Sequence, residues 1–193
     1  MRWLKFLPPL LWTLVIASFS SSFWGAAETS HLVVPMLGWL WPSAAPEQLE
    51  ALHWLTRKVA HVVEYAVLGV LWYGALAEEE NPARWRISLV LSFLTAALDE
   101  LHQATTLTRT GSAADVALDA AAVGAVLLGL TGGAPPVLRR LTTALLWLAA
   151  AGGTLLLVVD LAADVPAGWL WGSVPASWIA LLVWYASHRH RRA

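Results

Sequence analysis

The sequence predicts an all-α protein: a polytopic transmembrane helical bundle of about six spans, with an interfacial segment after the first. Three observations predict it. Hydrophobic residues make up 58% of the 193-residue chain and charged residues only 13%, against about 25% charged in an ordinary globular domain. The apolar residues fall in long runs, not in the spaced stripes of amphipathic soluble helices, and mean hydropathy is +0.61. Glycine and proline break the runs at intervals that leave about 20 residues, one membrane crossing, between breaks. A chain so composed cannot cover itself with polar surface, and lipid is its expected solvent.

The elements follow in order. The apolar stretches are Leu4–Phe23, Val59–Ala77, Trp85–Ala104, Val116–Leu130, Leu141–Asp160 and Trp169–Ser187. Gly25 and Pro35 follow the first, Asn81-Pro82 the second and Thr110-Gly111 the third. Gly132-Gly133 with Pro135-Pro136 closes the fourth, and Pro166 precedes the sixth. The fourth is short as counted and is expected to begin near Ser112. The first has a rival reading, because Met1–Lys5, an apolar run and the small residues of Ala17–Ser22 resemble a secretory signal peptide. Its length, with Trp3, Trp12 and Trp24, favours a retained anchor with aromatic ends. Residues 1–193 thus read as one membrane domain, in which 141–187 supply two C-terminal spans.

Lysine and arginine orient the bundle. With six spans and a cytoplasmic N-terminus, nine cations lie inside: Arg2, Lys5, Arg84, Arg86, Arg139, Arg140, Arg189, Arg191 and Arg192. Only Arg57, Lys58 and Arg109 lie outside. The asymmetry places both termini in the cytoplasm and makes the three outer cations exceptions that call for a reason. Between the first two spans, His31–Thr56 is apolar but interrupted by Pro35, Pro42 and Pro46, and carries Trp39, Trp41 and Trp54. It reads either as an interfacial or re-entrant helix or as an ordinary extracytoplasmic loop.

In this topology the outer ends of spans two, three and four converge in chemistry. Lys58, His61 and Tyr65 stand at i, i+3 and i+7, one helical face, with Glu64 beside that stripe. Asp99, Glu100, His102 and Gln103 occupy the end of span three. The loop beyond carries Thr106, Thr108, Arg109, Gly111 and Ser112, and Asp115 and Asp119 follow one turn apart on span four. Each ionisable group at the bilayer centre costs about 2.5–3.5 kcal/mol on insertion scales, so a cluster of them is expected to pair or to meet water. Two readings stand side by side: an ion-pair network that fixes helix packing, and a ligand site. Buried pairs are a poor source of stability, which favours the site.

Elsewhere the bland reading is preferred. Asp160, Asp164, His31 and His53 read as solvated interfacial groups, and Glu78-Glu79-Glu80 as a cytoplasmic turn. Net charge is −1, which gives no reason to expect nucleic acid. The absence of cysteine excludes disulfides, thiolate catalysis and Cys-type metal sites. No cofactor and no metal motif is expected.

Two stretches resemble the VanZ-like family. One is Arg57-Lys58-Val59-Ala60-His61-Val62-Val63-Glu64-Tyr65-Ala66-Val67-Leu68-Gly69; the other is Asp99-Glu100-Leu101-His102-Gln103 with Arg109-Thr110-Gly111-Ser112, Asp115-Val116, Asp119 and Gly124. Ser18-Phe19-Ser20-Ser21 is similar to the family's F-S-S, so the resemblance covers 18–129. Leu107-Thr108 stands before Arg109 where the family commonly has Pro-Gly, and the Asp119 position is often Asn. The family is named for an accessory protein of glycopeptide resistance that raises tolerance to teicoplanin. The resemblance therefore implies a bacterial cell-envelope membrane protein, without a settled reaction.

Two functions compete. In one, Arg57, Lys58 and Arg109 hold an anionic lipid head group or lipid-linked envelope precursor, while Asp99, Glu100 and Gln103 accept its hydrogens. In the other, the chain is an intramembrane enzyme acting on such a lipid, with His61 as acid/base, a carboxylate orienting it and Arg109 stabilising phosphate charge. His61 with Asp99, Glu100 and Asp115 could instead hold a divalent metal. No activated nucleophile is evident, which favours binding. Transport ranks lowest, because the acidic groups cluster at one side. The full set of ligand-binding candidates is Arg57, Lys58, His61, Glu64, Tyr65, Asp99, Glu100, Gln103, Arg109, Asp115 and Asp119.

Overall fold

The computed structural model describes residues 2–21, 24–77, 82–105, 111–132, 135–162 and 167–189, and no strand occurs among the described residues. A short 3-10 helix, Arg2–Phe6, leads into α1 (Leu7–Phe19). Then come α2 (Ala26–Leu40), α3 (Pro46–Ala75), α4 (Arg84–Ala104) and α5 (Ala113–Thr131). α6 (Pro135–Trp147) continues through a π-helical turn, Leu148–Gly152, into α7 (Gly153–Ala162), and α8 (Leu170–Arg189) is last.

The local reasons are legible. α3 starts on Pro46, whose missing N–H costs nothing in a first turn, with Glu47 favourable at the positive end of the helix dipole. The Gln48 side chain accepts the Ala45 N–H at 2.9 Å. α3 has 30 residues, about 45 Å at 1.5 Å per residue. The apolar stretch expected at 59–77 is therefore the second part of a longer helix. The segment His31–Thr56 divides between α2, which has no buried residue, and the start of α3. Pro35 and Pro175 lie inside α2 and α8 without ending them. α1 stops at Phe19, where hydroxyls take over its last carbonyls: Ser18 Oγ donates to Val15 O and Ser21 Oγ to Ser18 O, both at 2.7 Å.

α3, α4 and α5 pack on one another, α1 packs along α8 and α3, and α2 lies against α3. The core joins Trp12, Val15 and Ile16 of α1 to Leu68 and Leu71 of α3, Val123 and Leu127 of α5, and Leu181 and Trp184 of α8. At Gly69 a Cβ would lie 3.0 Å from Val123 Cγ1, so glycine lets α3 and α5 approach closely. α8 is tied to the α6–α7 helix by indole donors, Trp184 Nε1 to Thr143 Oγ1 and Trp178 Nε1 to Thr154 Oγ1, each at 2.9 Å.

Among the described residues, two helices are long and apolar enough to cross a membrane, Ala113–Thr131 and Pro136–Ala162; Trp3–Phe19 and Leu170–Ala186 are shorter apolar helices. Only 22% and 11% of the two longer stretches is buried, whereas the core helix of a soluble protein would be mostly buried. Leu128, Leu148 and Leu155 point outward, 73%, 68% and 64% exposed. These helices fit a membrane protein.

Candidate functional site

α3 presents two polar flanks. The first faces α4 and α5. Lys58 Nζ forms an ion pair with Asp115 Oδ1. One turn further along both helices, His61 Nδ1 lies 3.8 Å from Asp119 Oδ2. The match is a consequence of register: 58 and 61 share a stripe on α3, and 115 and 119 share one on α5. Tyr65, fully buried, comes next; its ring is parallel to that of His61 with centroids 6.5 Å apart, and its hydroxyl faces Asp99. Asp119 is 1% exposed and lies within electrostatic reach of Glu100, Asp115, Asp99 and Lys58.

α4 supplies the remaining groups and holds the start of α5. Glu100 Oε2 accepts the Ser112 N–H at 2.7 Å, so a carboxylate sits where the helix dipole favours one. That contact needs Gly111. A Cβ there would lie 2.5 Å from Glu100 O and 2.8 Å from Ala104 Cβ, closer than side chains tolerate. Gln103 Nε2 donates to Asp99 Oδ2 at 3.0 Å and reaches Ser20 Oγ at 3.5 Å, tying α4 to the end of α1. Glu100 Oε1 and Asp119 Oδ1 are buried without a hydrogen-bond partner among the described residues. No metal-holding group of three or more His, Asp or Glu occurs among the described residues, so His61, Asp99, Glu100 and Asp115 do not form one.

The second flank faces α1 and α2 across a cleft of about 270 Å³. Phe19, Ser20, Trp24, Thr29 and Val33 form one wall; His53, Thr56, Arg57, Ala60, His61 and Glu64 of α3 form the other. Arg57 Nη1 donates to Trp24 O at 2.9 Å and to Thr29 Oγ1 at 3.1 Å. Thr29 Oγ1 also lies 3.0 Å from His53 Nε2 and donates to Gly25 O at 2.9 Å. With its one hydrogen on Gly25 O, the hydroxyl accepts from Arg57 and from a His53 protonated on Nε2. Burial lowers the His53 pKa below its ordinary value and the neighbouring guanidinium of Arg57 lowers it further, against Glu50, which raises it.

Lys58, Tyr65, Asp99, Glu100, Gln103, Asp115 and Asp119 come together between α3, α4 and α5. Arg57 and Glu64 line the cleft, and His61 belongs to both. By charge Arg57 groups with the carboxylates; the fold turns it towards α2 instead. Arg109 and Thr108 lie outside the described residues, and His102 is exposed. One expectation is corrected. His53 is not a solvated interfacial group but is 4% exposed, because α2 folds back and sets Thr29 over it. His31 is exposed, as expected. No sequence signal marks Thr29, and Ser20 stands out only through the family resemblance. A signal for His53 existed: 53, 57, 61 and 64 follow one helical stripe, next to the stripe of 58, 61 and 65.

No curated protein and no solved structure matches the chain. A family model described as VanZ/LLP1 matches residues 6–131. The match runs from the residue before α1 to the last residue of α5, and it contains every element around the polar cluster and the cleft. With more than half of its length in that match, the chain belongs to the VanZ/LLP1 family.

Proposed function

We propose that the chain is a multi-pass protein of the bacterial cell membrane, with about six spans and both termini cytoplasmic. At the outer leaflet it binds the phosphate of a lipid head group or of a lipid-linked envelope precursor, and through this contributes to glycopeptide (teicoplanin-type) tolerance. The nine-to-three division of Lys and Arg supports the topology. The sparse burial of α2, with Trp39 and Met36 79% and 57% exposed, supports an interfacial position for it.

The observation that carries the binding reading is the cleft. It combines the Arg57 guanidinium with an apolar and aromatic wall of Phe19, Trp24 and Val33. A phosphate wants bidentate donors and a lipid's glycerol and acyl region wants apolar surface; the cleft offers both together. Asp99, Glu100, Asp115 and Asp119, balanced by Lys58, stand on the other flank of α3 and join the cleft through His61. Family membership supports the link to the cell envelope.

The test is binding of a fluorescent phospholipid by the purified protein, alongside teicoplanin tolerance of cells that express it. Arg57→Ala in well-inserted protein should weaken binding at least tenfold and remove the tolerance. Undiminished binding and tolerance would overturn the proposal. A second reading, an intramembrane enzyme with His61 as acid/base, is favoured by one observation, the Asp119 carboxylate behind the imidazole.

A further inference from the structure

We infer that Thr29 is a nucleophile and His53 its general base, set beside Arg57 to transfer the phosphoryl group of a glycerophospholipid diester. The inference rests on the binding reading above, because the cleft must first hold the phosphate.

The parts come from two helices. Thr29 stands in the first turn of α2, His53 and Arg57 stand one turn apart on α3, and all three line the cleft. Thr29 Oγ1 lies 3.0 Å from His53 Nε2, within reach of direct proton transfer. Arg57 Nη1 donates to the same oxygen at 3.1 Å and to Trp24 O at 2.9 Å. Both contacts use Nη1, so they fix beside the hydroxyl a guanidinium with five N–H donors. A hydroxyl is a weak nucleophile until a base takes its proton. Here nucleophile, base and a cation for the developing phosphate charge meet at one oxygen. Holding a phosphate needs only the Arg57 donors; an imidazole against a hydroxyl adds little to anion binding and is what transfer requires.

At rest the hydroxyl hydrogen lies on Gly25 O at 2.9 Å, and Nε2 is about as near. With the imidazole hydrogen on Nδ1, the hydroxyl turns to Nε2 and exchanges one hydrogen bond for another. His53 is 4% exposed; burial and Arg57 lower its pKa, against Glu50, so near pH 7 it is neutral and able to accept. Oγ1 then bonds to phosphorus as the bond from phosphorus to the head-group oxygen breaks. The hydroxyl proton passes to Nε2 and on to the leaving oxygen, which departs as an alcohol. Water completes the cycle. It gives its proton to His53 and bonds to phosphorus, the bond to Oγ1 breaks, and Oγ1 recovers a hydrogen from Nε2. The products are the head-group alcohol and a phosphatidate, and the protein is unchanged.

The experiment incubates the purified full chain, in mixed micelles, with short-chain phosphatidylglycerol or phosphatidylethanolamine. It measures released alcohol and phosphatidate, and maps any phosphatidyl adduct by mass spectrometry after acid quench. At least one lipid should turn over, with the adduct on Thr29. Thr29→Val should abolish adduct and product, and Thr29→Ser should keep part of both. His53→Gln should slow turnover by about 10²–10⁴ while lipid binding changes less than threefold. Product from neither lipid, in protein that binds them, overturns the transfer and leaves the binding reading standing. Unchanged turnover in folded Thr29→Val also overturns it; if that variant does not fold, an adduct on any residue other than Thr29 does the same. Binding of neither lipid overturns the transfer and the reading beneath it.

Discussion

His61 Nδ1 lies 3.8 Å from Asp119 Oδ2, while the same imidazole forms part of the cleft wall. One side chain thus joins the polar interior between α3 and α5 to the cleft flank. If the site binds, His61 contributes a polar contact worth about 1 kcal/mol. His61→Gln should then weaken lipid binding by less than tenfold and leave most of the teicoplanin tolerance. A loss of about 10²–10⁴ in activity would mean that His61 moves a proton, and would replace binding with catalysis.

The Lys58–Asp115 pair is suited to a double-mutant cycle. Its side chains are 24% and 19% exposed, between surface pairs worth about 0–1 kcal/mol and buried ones whose single removal costs about 3–5 kcal/mol. Lys58→Met and Asp115→Asn should each cost about 1–3 kcal/mol, measured by denaturant titration in mixed micelles. The double variant should cost less than their sum, since it leaves no charge stranded. Strict additivity would show that the pair carries no coupling.

Gly111→Ala should destabilise. At a position with room, removing a glycine's freedom stabilises by about 0.4–1 kcal/mol. Here the new Cβ would meet Glu100 O at 2.5 Å, and relieving that clash shifts the start of α5 against α4. A loss of about 1–3 kcal/mol is expected. A raised unfolding temperature would contradict the close approach.

The pH dependence follows from His53, whose folded pKa lies below 6.5 through burial and Arg57. Above 6.5 both folded and unfolded chains hold it neutral, and stability is full. As pH falls below 6.5 the unfolded chain binds the proton first, so stability declines until the lowered folded pKa is passed. Unfolding midpoints between pH 8 and 5 should fall for the wild type and fall less for His53→Gln. Equal slopes would remove His53 from the account.

Much was legible before folding. The length of the apolar runs and the breaks between them locate the helices: α4 at Arg84–Ala104 coincides within a residue with the expected Trp85–Ala104, and α5 begins just after Ser112. Helical spacing likewise puts 58 and 61 on one face of α3 and 115 and 119 on one face of α5. Less legible was α3, where the turn-like Pro46 proved to be a first-turn residue, so that the helix gained a polar extension.

Tertiary structure alone decided which partner each charge takes. By sequence Arg57 and Lys58 are adjacent cations with the same candidate partners. On a helix, neighbours point about 100° apart, so Lys58 meets Asp115 while Arg57 meets Trp24 O and Thr29. His53 looked solvated for the same reason: its burial comes from α2, 24 residues earlier, folding back to place Thr29 at 3.0 Å. Composition and periodicity determine which stretches are helical and which solvent they need. The cleft exists only where separate helices meet, and no property of a single stretch encodes that meeting.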